Sequence, residues 1–329
     1  MKAMILNQPK QQLDLADVHI PTPRSDEVLV EVATCGVCRT DLHVYDGDLH
    51  QPKLPLILGH EIVGKIVKVG SNVKTLHINQ RVGVPWLGYT CGKCAFCLRQ
   101  QENLCDKAIF TGYTRNGGYA EYTLANENYC FPLPDKYNSI EIAPLLCAGL
   151  IGWRSYKLAG EFERLGLFGF GGAAHILTQI AKHQGKEIYA FTRPGDEKGQ
   201  SFARQLGATW AGSSQDKPPH LLDAAIIFAP IGDLVLSALK ILRKGGAIVC
   251  GGIHMADIPP IPYELLWGER IIRSVANLTR QDAHDFLSVI EKIPIQTTTK
   301  LYQLEQANEA LNDLRAGKFE GAAVLSIKN

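Results

Sequence analysis

The stretch RLGLFGFGGAAHILTQIAKHQGKEIYAFT, residues 164–192, decides the fold class of this chain. Residues 164–170 are a short apolar run typical of a buried strand, residues 172–185 have helical spacing, and residues 186–192 are a second apolar run. A strand, a helix and a strand in this order predict a βαβ unit with two parallel strands. The stretch therefore indicates a doubly wound α/β domain.

The turn between the first strand and the helix, GFGGAA at 169–174, fits the pattern G-x-G-x-x-A. Gly169 permits the tight turn, Gly171 lets the backbone approach a pyrophosphate, and Ala174 lets helix and strand pack closely. Gly172 keeps the start of the helix small as well. An ordinary turn would not need small residues at all these places, so the segment predicts a dinucleotide-binding site.

The end of the second strand bears on which dinucleotide binds. NAD enzymes usually carry an acidic residue about 20 positions beyond the first glycine, where it binds the ribose 2′-OH. This chain has Thr192 there, followed by Arg193, whose guanidinium suits a 2′-phosphate. The alternative is a solvated Arg193, with Asp196 or Glu197 bent back to the ribose. We expect NADP(H) to be favoured over NAD(H).

The flanking sequence separates two kinds of structure. Residues 221–229 and 245–252 continue the parallel sheet, and residues 233–246 predict a helix that ends at glycine. Residues 1–145 instead contain short β-rich runs, such as EVLVEVAT at 27–34, separated by Pro and Gly and without a dominant helical pattern. The first part of the chain therefore predicts a small barrel-like fold.

Four cysteines lie close together in CGKCAFCLRQQENLC, residues 91–105. Cys91, Cys94, Cys97 and Cys105 follow C-x2-C-x2-C-x7-C, which lets one loop surround a tetrahedral zinc ion. Disulfides are rare in a reducing cytosol, and nine cysteines cannot all pair within the chain. Buried packing cysteines are the other reading, which the polar loop disfavours. Four thiolates predict a structural site, because a catalytic zinc keeps one position open.

A second set of candidate ligands lies upstream, where Cys38 belongs to CGVCRTDLH and His60 precedes Glu61. A thiolate and an imidazole are zinc ligands that leave room for a third ligand and an open position. Cys35 and Cys38 also match a redox dithiol, but that motif belongs with a thioredoxin-like βαβ pattern, which this segment lacks.

The composition limits the function classes. With 329 residues, 46% hydrophobic and 20% charged, the chain should form about two domains. Lys+Arg number 34 and Asp+Glu 33, without a dense basic run, so nucleic acid and membrane surfaces are not expected partners. No apolar run approaches the ~18 residues of a membrane span, and residues 1–15 show neither an apolar h-region nor a small-residue cleavage site, so we expect no secretion signal. We expect a cytoplasmic protein that binds small molecules and like subunits.

Four motifs together resemble a known family: CGVCRTDLH, GHEIVGKIVKVG, CGKCAFCLRQQENLC and PLLCAG, in this order. They are similar to the zinc-containing medium-chain alcohol dehydrogenases, especially the yeast-like and bacterial branch, over essentially the whole chain. The resemblance implies a chaperonin-10-like β-barrel catalytic domain (1–146), an inserted Rossmann domain (147–278) and a return to the catalytic domain (279–329). It also implies a homodimer or homotetramer that interconverts primary alcohols and aldehydes by hydride transfer with a nicotinamide cofactor.

The resemblance assigns the metal ligands. The catalytic zinc would be held by Cys38, His60 and Cys147, with Glu61 as a nearby carboxylate that can exchange onto the metal. The four cysteines of the 91–105 loop would hold a structural zinc. Two zinc ions per chain are therefore expected.

The resemblance also assigns the residues around the metal. Thr40 would take the alcohol proton and pass it through the cofactor ribose to His43, while Arg39 would face the pyrophosphate. Trp86 would line the substrate pocket, and Leu49 stands where relatives often carry a second tryptophan, which implies substrates larger than ethanol.

Two other functions are compatible with parts of the sequence. One is a zinc-free quinone or enone reductase of the same superfamily, which the two candidate ligand sets disfavour. The other is a non-catalytic zinc or redox-sensing protein that keeps the fold, which the sequence alone leaves open.

Overall fold

The computed structural model describes residues 1–328 and divides them into two compact units. The first unit comprises Met1–Leu150, Asn277–Lys292 and the chain from Gln296 onward. The second comprises Ile151–Ala276 and Ile293–Ile295. None of the helices within residues 1–328 has the length and apolar run that crossing a bilayer requires.

The secondary structure is as follows. The strands of the first unit are β1 Lys2–Leu6, β2 Asp14–Asp17, β3 Glu27–Val37, β4 Leu56–Ile57, β5 Glu61–Val69, β6 Arg81–Val84, β7 Leu87–Tyr89, β8 Ile109–Phe110, β9 Tyr122–Asn126, β10 Phe131–Pro132, β17 Thr299–Gln303 and β18 Ala322–Ser326. Its helices are α1 Arg39–Asp46, α2 Ala95–Leu98, α3 Ser139–Ile142, α9 Arg280–Lys292 and α10 Ala307–Ala316. Helix α4, Ala148–Leu158, begins in the first unit and ends in the second. The second unit contains β11 Arg164–Phe168, α5 Gly172–His183, β12 Glu187–Thr192, α6 Glu197–Leu206, β13 Trp210–Ser213, β14 Leu222–Ile227, α7 Asp233–Ile241, β15 Leu242–Cys250, α8 Tyr263–Leu266 and β16 Ile271–Ser274.

The second unit is built on a six-stranded parallel sheet in the order β13-β12-β11-β14-β15-β16. The order reverses between β11 and β14, which is the arrangement of the doubly wound dinucleotide-binding fold. The central strands β11, β12 and β14 are buried on both faces; the adjacent residues Leu167 and Phe168 of β11, for example, point to opposite faces and have no exposed surface. The doubly wound domain predicted from residues 164–192 is confirmed.

One predicted element of this unit is wrong in its extent. The sequence predicts a helix over 233–246, but α7 ends at Ile241 and the following residues belong to β15. Leu242 continues the helical spacing of apolar residues, yet it adopts an extended conformation and pairs with Leu222 of the neighbouring strand. Pairing within the sheet therefore outweighs the local helical pattern.

The first unit is dominated by antiparallel strands, with β3 at the centre of a seven-stranded sheet. Strand β3 pairs with β5, β9 and β18, and its residues Val28, Val30 and Val32 are completely buried. The register of β3 and β5 sets Gly36 opposite Glu61, so the ends of these strands bring the segments around residues 38 and 60 together. Helix α1 follows β3 directly; it was not predicted, because its eight residues are too few for a clear periodicity.

Candidate active site

Four side chains of the first unit converge: Cys38, His60, Glu61 and Cys147. One ligand atom from each lies within 4.8 Å of the others, and the two sulfur atoms are 3.6 Å apart. Two thiolates on one tetrahedral zinc lie about 3.8 Å apart, because Zn–S bonds are about 2.3 Å long. His60 Nε2 is buried and has no hydrogen-bond partner among residues 1–328, so its lone pair is available to a metal. The group fits zinc with two sulfur ligands, one nitrogen ligand and one further position.

The ligands come from three separate segments. Cys38 lies between β3 and α1, His60 directly precedes β5, and Cys147 lies between a short 3₁₀ turn and α4. Two glycines make their approach possible. Gly59 has a φ of +96° and lies against the ring of Tyr119, whereas a Cβ at Gly36 would collide with the carboxylate of Glu61. A side chain at either glycine would therefore displace the residues beside the metal site.

Hydrogen bonding and burial set the charge of these groups. The hydrogen bond between the thiols lowers the pKa of Cys38 well below its usual value, and the same bond and burial raise the pKa of Cys147. Burial raises the pKa of Glu61. Burial lowers the pKa of His60, but Asp41 and Cys38 together outweigh it and produce a net rise. A strongly basic Nε2 is a strong metal ligand.

Asp41 is a further residue of the site, which was not predicted from the sequence. It is completely buried, and its Oδ1 lies 3.0 Å from Nδ1 of His60. Metal-binding histidines commonly donate their second ring N–H to a carboxylate, which fixes the tautomer and the orientation of the ring. The sequence does contain a signal for a helix start here. Asp41 follows Cys38 by three residues, which is the spacing at which an acidic side chain accepts a hydrogen bond from the backbone N–H of the residue that precedes a helix.

The two residues expected to move a proton lie on α1. The Thr40 hydroxyl is 3.8 Å from the sulfur of Cys38 and is nearly buried. His43, three positions later and therefore on the same side of the helix, is partly exposed, and its Nδ1 lies 2.8 Å from a carboxylate oxygen of Asp48. The helix thus spans from the metal group to solvent.

An aromatic stack stands beside the metal group. The ring of Trp86 is edge-on to His60 at 5.0 Å and stacks with Phe110 at 5.3 Å and Tyr113 at 5.6 Å. The Tyr113 hydroxyl donates a hydrogen bond to the backbone carbonyl of His50, next to the partly buried Leu49. Leu49 is therefore the neighbour of a residue that is hydrogen-bonded to Tyr113, and the Tyr113 ring packs on Trp86. The contribution of Phe110 and Tyr113 was not predicted.

The second group of ligands lies in the loop after β7, where the four sulfur atoms lie within 4.8 Å of one another: Cys91, Cys94, Cys97 and Cys105. The sulfur of Cys97 is 3.5 Å from that of Cys94 and 3.9 Å from that of Cys91, which matches the spacing around tetrahedral zinc. Backbone N–H groups of Lys93 and Cys94 lower the pKa of Cys91 to about 6 and favour the thiolate. None of these cysteines forms a disulfide in the described structure.

Replacing Cys94 by serine is expected to destabilise the protein, because the loop would lose the metal that holds it. We expect the melting temperature to fall by roughly 5 °C or more. Calorimetry with and without a chelator measures the effect. Lys93→Ala, an exposed change in the same loop, is the matched control. An unchanged melting temperature in Cys94→Ser would contradict a structural zinc site.

The glycine-rich turn of the second unit has the shape that a dinucleotide requires. Gly169 has a φ of +88°, and a Cβ there would lie 2.8 Å from the backbone nitrogen of Ala229. A Cβ at Gly171 would point into open space, so the backbone is accessible at the position where a phosphate is expected. Gly172 begins α5, and Ala174 is completely buried.

The residues at the end of β12 differ in exposure. Thr192 is buried, and its hydroxyl accepts a hydrogen bond from the Gln200 amide, whereas Arg193 is exposed. Asp196 caps α6 by accepting a hydrogen bond from the backbone N–H of Gly199 at 3.0 Å. One of its carboxylate oxygens is therefore held at the start of α6. In the first unit Arg39 is exposed at the first position of α1, and its role toward a pyrophosphate stays a prediction.

The chain resembles known proteins over its whole length. Residues 24–135 match the family model of the alcohol dehydrogenase GroES-like domain. The chain is 48% identical over 324 residues to "Probable alcohol dehydrogenase AdhA" of Mycobacterium tuberculosis, which covers 96% of this chain and 93% of that protein. It is 37% identical over 340 residues to an alcohol dehydrogenase of Geobacillus stearothermophilus, covering 100% and 99%. A cinnamyl alcohol dehydrogenase structure from Sorghum bicolor, 22% identical, superposes with a TM-score of 0.90 and covers 99% and 97%.

The chain therefore belongs to the zinc-containing medium-chain alcohol dehydrogenase family, as its four motifs predict. Members of this family are nicotinamide-dependent oxidoreductases that interconvert alcohols and aldehydes. The predicted fold, a chaperonin-10-like domain with a Rossmann domain, is confirmed.

Proposed function

We propose that this alcohol dehydrogenase interconverts primary alcohols and aldehydes at a zinc ion held by Cys38, His60 and Cys147. The observation that carries the proposal is the buried Nε2 of His60, which has no partner among residues 1–328 and lies with two sulfur atoms of suitable spacing. When bound, the zinc acts as a Lewis acid on the substrate oxygen and a nicotinamide cofactor exchanges the hydride. Glu61 stands within reach of the same metal position.

The surrounding residues orient the substrate and move its proton. Thr40 holds the alcohol proton beside Cys38, and His43 releases it to solvent. Trp86, which packs against both Phe110 and Tyr113, is a rigid wall that favours an apolar substrate chain. The less bulky Leu49 favours substrates larger than ethanol. The expected homodimer or homotetramer stays a prediction.

A screen of primary alcohols and aldehydes of increasing chain length, with NADH and NADPH in turn, tests this function. We expect cofactor-dependent turnover of aldehydes, with kcat/KM rising beyond the two-carbon substrate. A protein that contains zinc but turns over no alcohol or aldehyde with either cofactor would instead support a non-catalytic role.

We propose further that the enzyme prefers NADP(H). The exposed Arg193 follows Thr192 at the end of β12, and no carboxylate occupies the position that would repel a 2′-phosphate. The capping role of Asp196 argues against its use for the ribose hydroxyl. Arginine binds phosphate through paired, charge-assisted hydrogen bonds.

Replacing Arg193 by alanine is expected to lower kcat/KM for NADPH by about 10- to 100-fold, because a hydrogen bond to a charged group is lost. The kcat/KM for NADH should change little. Steady-state kinetics with both cofactors measure the effect. Lys240→Ala removes an exposed positive charge at the far end of α7 and serves as the control. An unmodified enzyme with a higher kcat/KM for NADH would refute the NADP(H) preference alone.

A further inference from the structure

Tyr119 is a completely buried side chain that the proposed reaction does not use. Its hydroxyl lies 3.1 Å from Oδ2 of Asp41, the carboxylate that binds His60. Its backbone is fixed as well, because its N–H donates to Leu58 and its carbonyl accepts from Met4, each at 2.9 Å. We propose that Tyr119 is a positioning residue for the catalytic metal, since its hydroxyl holds Asp41 in the orientation that aims His60 at the metal. The proposal rests on the zinc site proposed above.

The hydrogen bonds of Asp41 show how such an effect is transmitted. Oδ1 lies 3.0 Å from Nδ1 of His60 and accepts from the N–H of Gly59 at 3.2 Å. Oδ2 accepts from the N–H of Cys38 at 2.8 Å and from Tyr119. Because its three other partners all donate, the carboxylate is an acceptor only, and this favours the tautomer in which Nδ1 of His60 carries the proton toward it. Nε2 is then left with its lone pair for the metal.

The ring of Tyr119 also supports the turn that presents His60. It packs against Gly59, the residue directly before the histidine, where no side chain would fit. The N–H of Gly118 donates to the carbonyl of Gly59 at 3.0 Å, which joins the two segments a second time. Tyr119 therefore restrains both the backbone before His60 and the Asp41 carboxylate that is hydrogen-bonded to the imidazole of His60.

A phenylalanine would fill the same space and keep the ring contacts. The hydroxyl is thus explained by Asp41 alone, because a buried hydroxyl without a partner is costly. Without it, Oδ2 of the completely buried Asp41 loses one of its two donors. The carboxylate can then rotate away from Nδ1 of His60, and the binding of the metal by Nε2 of His60 becomes weaker.

Tyr119→Phe in the full-length protein tests the proposal, with Tyr302→Phe as a matched control. Tyr302 is also buried in the first unit and donates to a carboxylate, that of Asp313, at 2.8 Å. Chelator-driven zinc release, followed with a coloured zinc indicator, separates the two metals by their rates. We expect Tyr119→Phe to release its catalytic zinc about tenfold faster than wild type and to lose about tenfold in kcat, with an unchanged KM for the cofactor. Tyr302→Phe should match wild type in both.

The same assay separates failure of the positioning role from failure of the zinc site. If Tyr119→Phe releases both zinc ions at the rates of Tyr302→Phe, the positioning role is wrong and the zinc site stands. If wild-type protein holds only the zinc of the cysteine loop, the proposed catalytic site is wrong and the role of Tyr119 falls with it.

A double-mutant cycle tests whether the effect passes through Asp41. In an Asp41→Asn background, adding Tyr119→Phe should change the zinc release rate by less than about twofold, because the two residues act in one chain of contacts. A full additional tenfold change would overturn transmission through Asp41. Only variants with native circular dichroism at the assay temperature are compared; if Tyr119→Phe is unfolded there, it and wild type are compared at a lower temperature at which both are folded, and equal release rates overturn the proposal.

Discussion

Replacing Cys38 by serine is expected to lower alcohol oxidation by at least about 10³-fold while the protein stays folded. The substitution removes one of two sulfur ligands from the group formed with His60 and Cys147. A Lewis-acid metal supplies several kcal/mol of transition-state stabilisation, and each 1.36 kcal/mol is a factor of ten in rate. Steady-state turnover with saturating alcohol and cofactor measures the loss, and circular dichroism verifies the fold.

Cys130→Ala is the matched control for this prediction. Cys130 is a buried thiol of the same unit that belongs to neither group of metal ligands. Cys130→Ala removes a thiol, as Cys38→Ser does, but it should leave turnover within about twofold of the wild-type value. A Cys38→Ser variant with wild-type turnover would show that this group is not the catalytic centre.

Replacing Thr40 by alanine is expected to reduce alcohol oxidation by about 10²-fold, since positioned proton transfer contributes about that much. The hydroxyl lies beside the sulfur of Cys38 in a nearly buried position, where water is a poor substitute for it. His43→Gln should cost less, because the imidazole is partly exposed and water can replace it. Comparing kcat for an alcohol in these two variants measures both effects.

Thr40→Ser retains the hydroxyl and controls for the lost methyl group. It should keep most of the activity that Thr40→Ala loses. Equal losses in the two variants would assign the effect to packing, and unchanged rates in Thr40→Ala would show that the proton leaves by another route.

The features that the sequence predicted are those encoded by residues close together in the chain. The four cysteines of the 91–105 loop span only fifteen positions, and their sulfur atoms converge as the spacing indicates. The glycine-rich turn and its flanking strand and helix are equally local, and the parallel sheet follows from them. Cys38, His60 and Cys147 are far apart in sequence, and resemblance to a family was needed to group them.

The features that were missed depend on contacts between distant segments. From the sequence alone, Asp41 is an ordinary helix-capping residue. The register of β3 and β5 places it within hydrogen-bond distance of His60. Tyr119 lies 78 positions from Asp41, and nothing in the pattern GGYAEY reveals that contact. The early end of α7 has the same origin, because Leu242 is drawn into the sheet by Leu222. Local periodicity cannot report such pairings.

The number of zinc ions per chain in purified, fully active protein tests the central claim most directly. Elemental analysis alongside turnover should give two zinc ions per chain. Brief chelation should remove the one at Cys38, His60 and Cys147 and abolish activity, and added zinc should restore both. Fully active protein with a single zinc ion per chain would contradict the account.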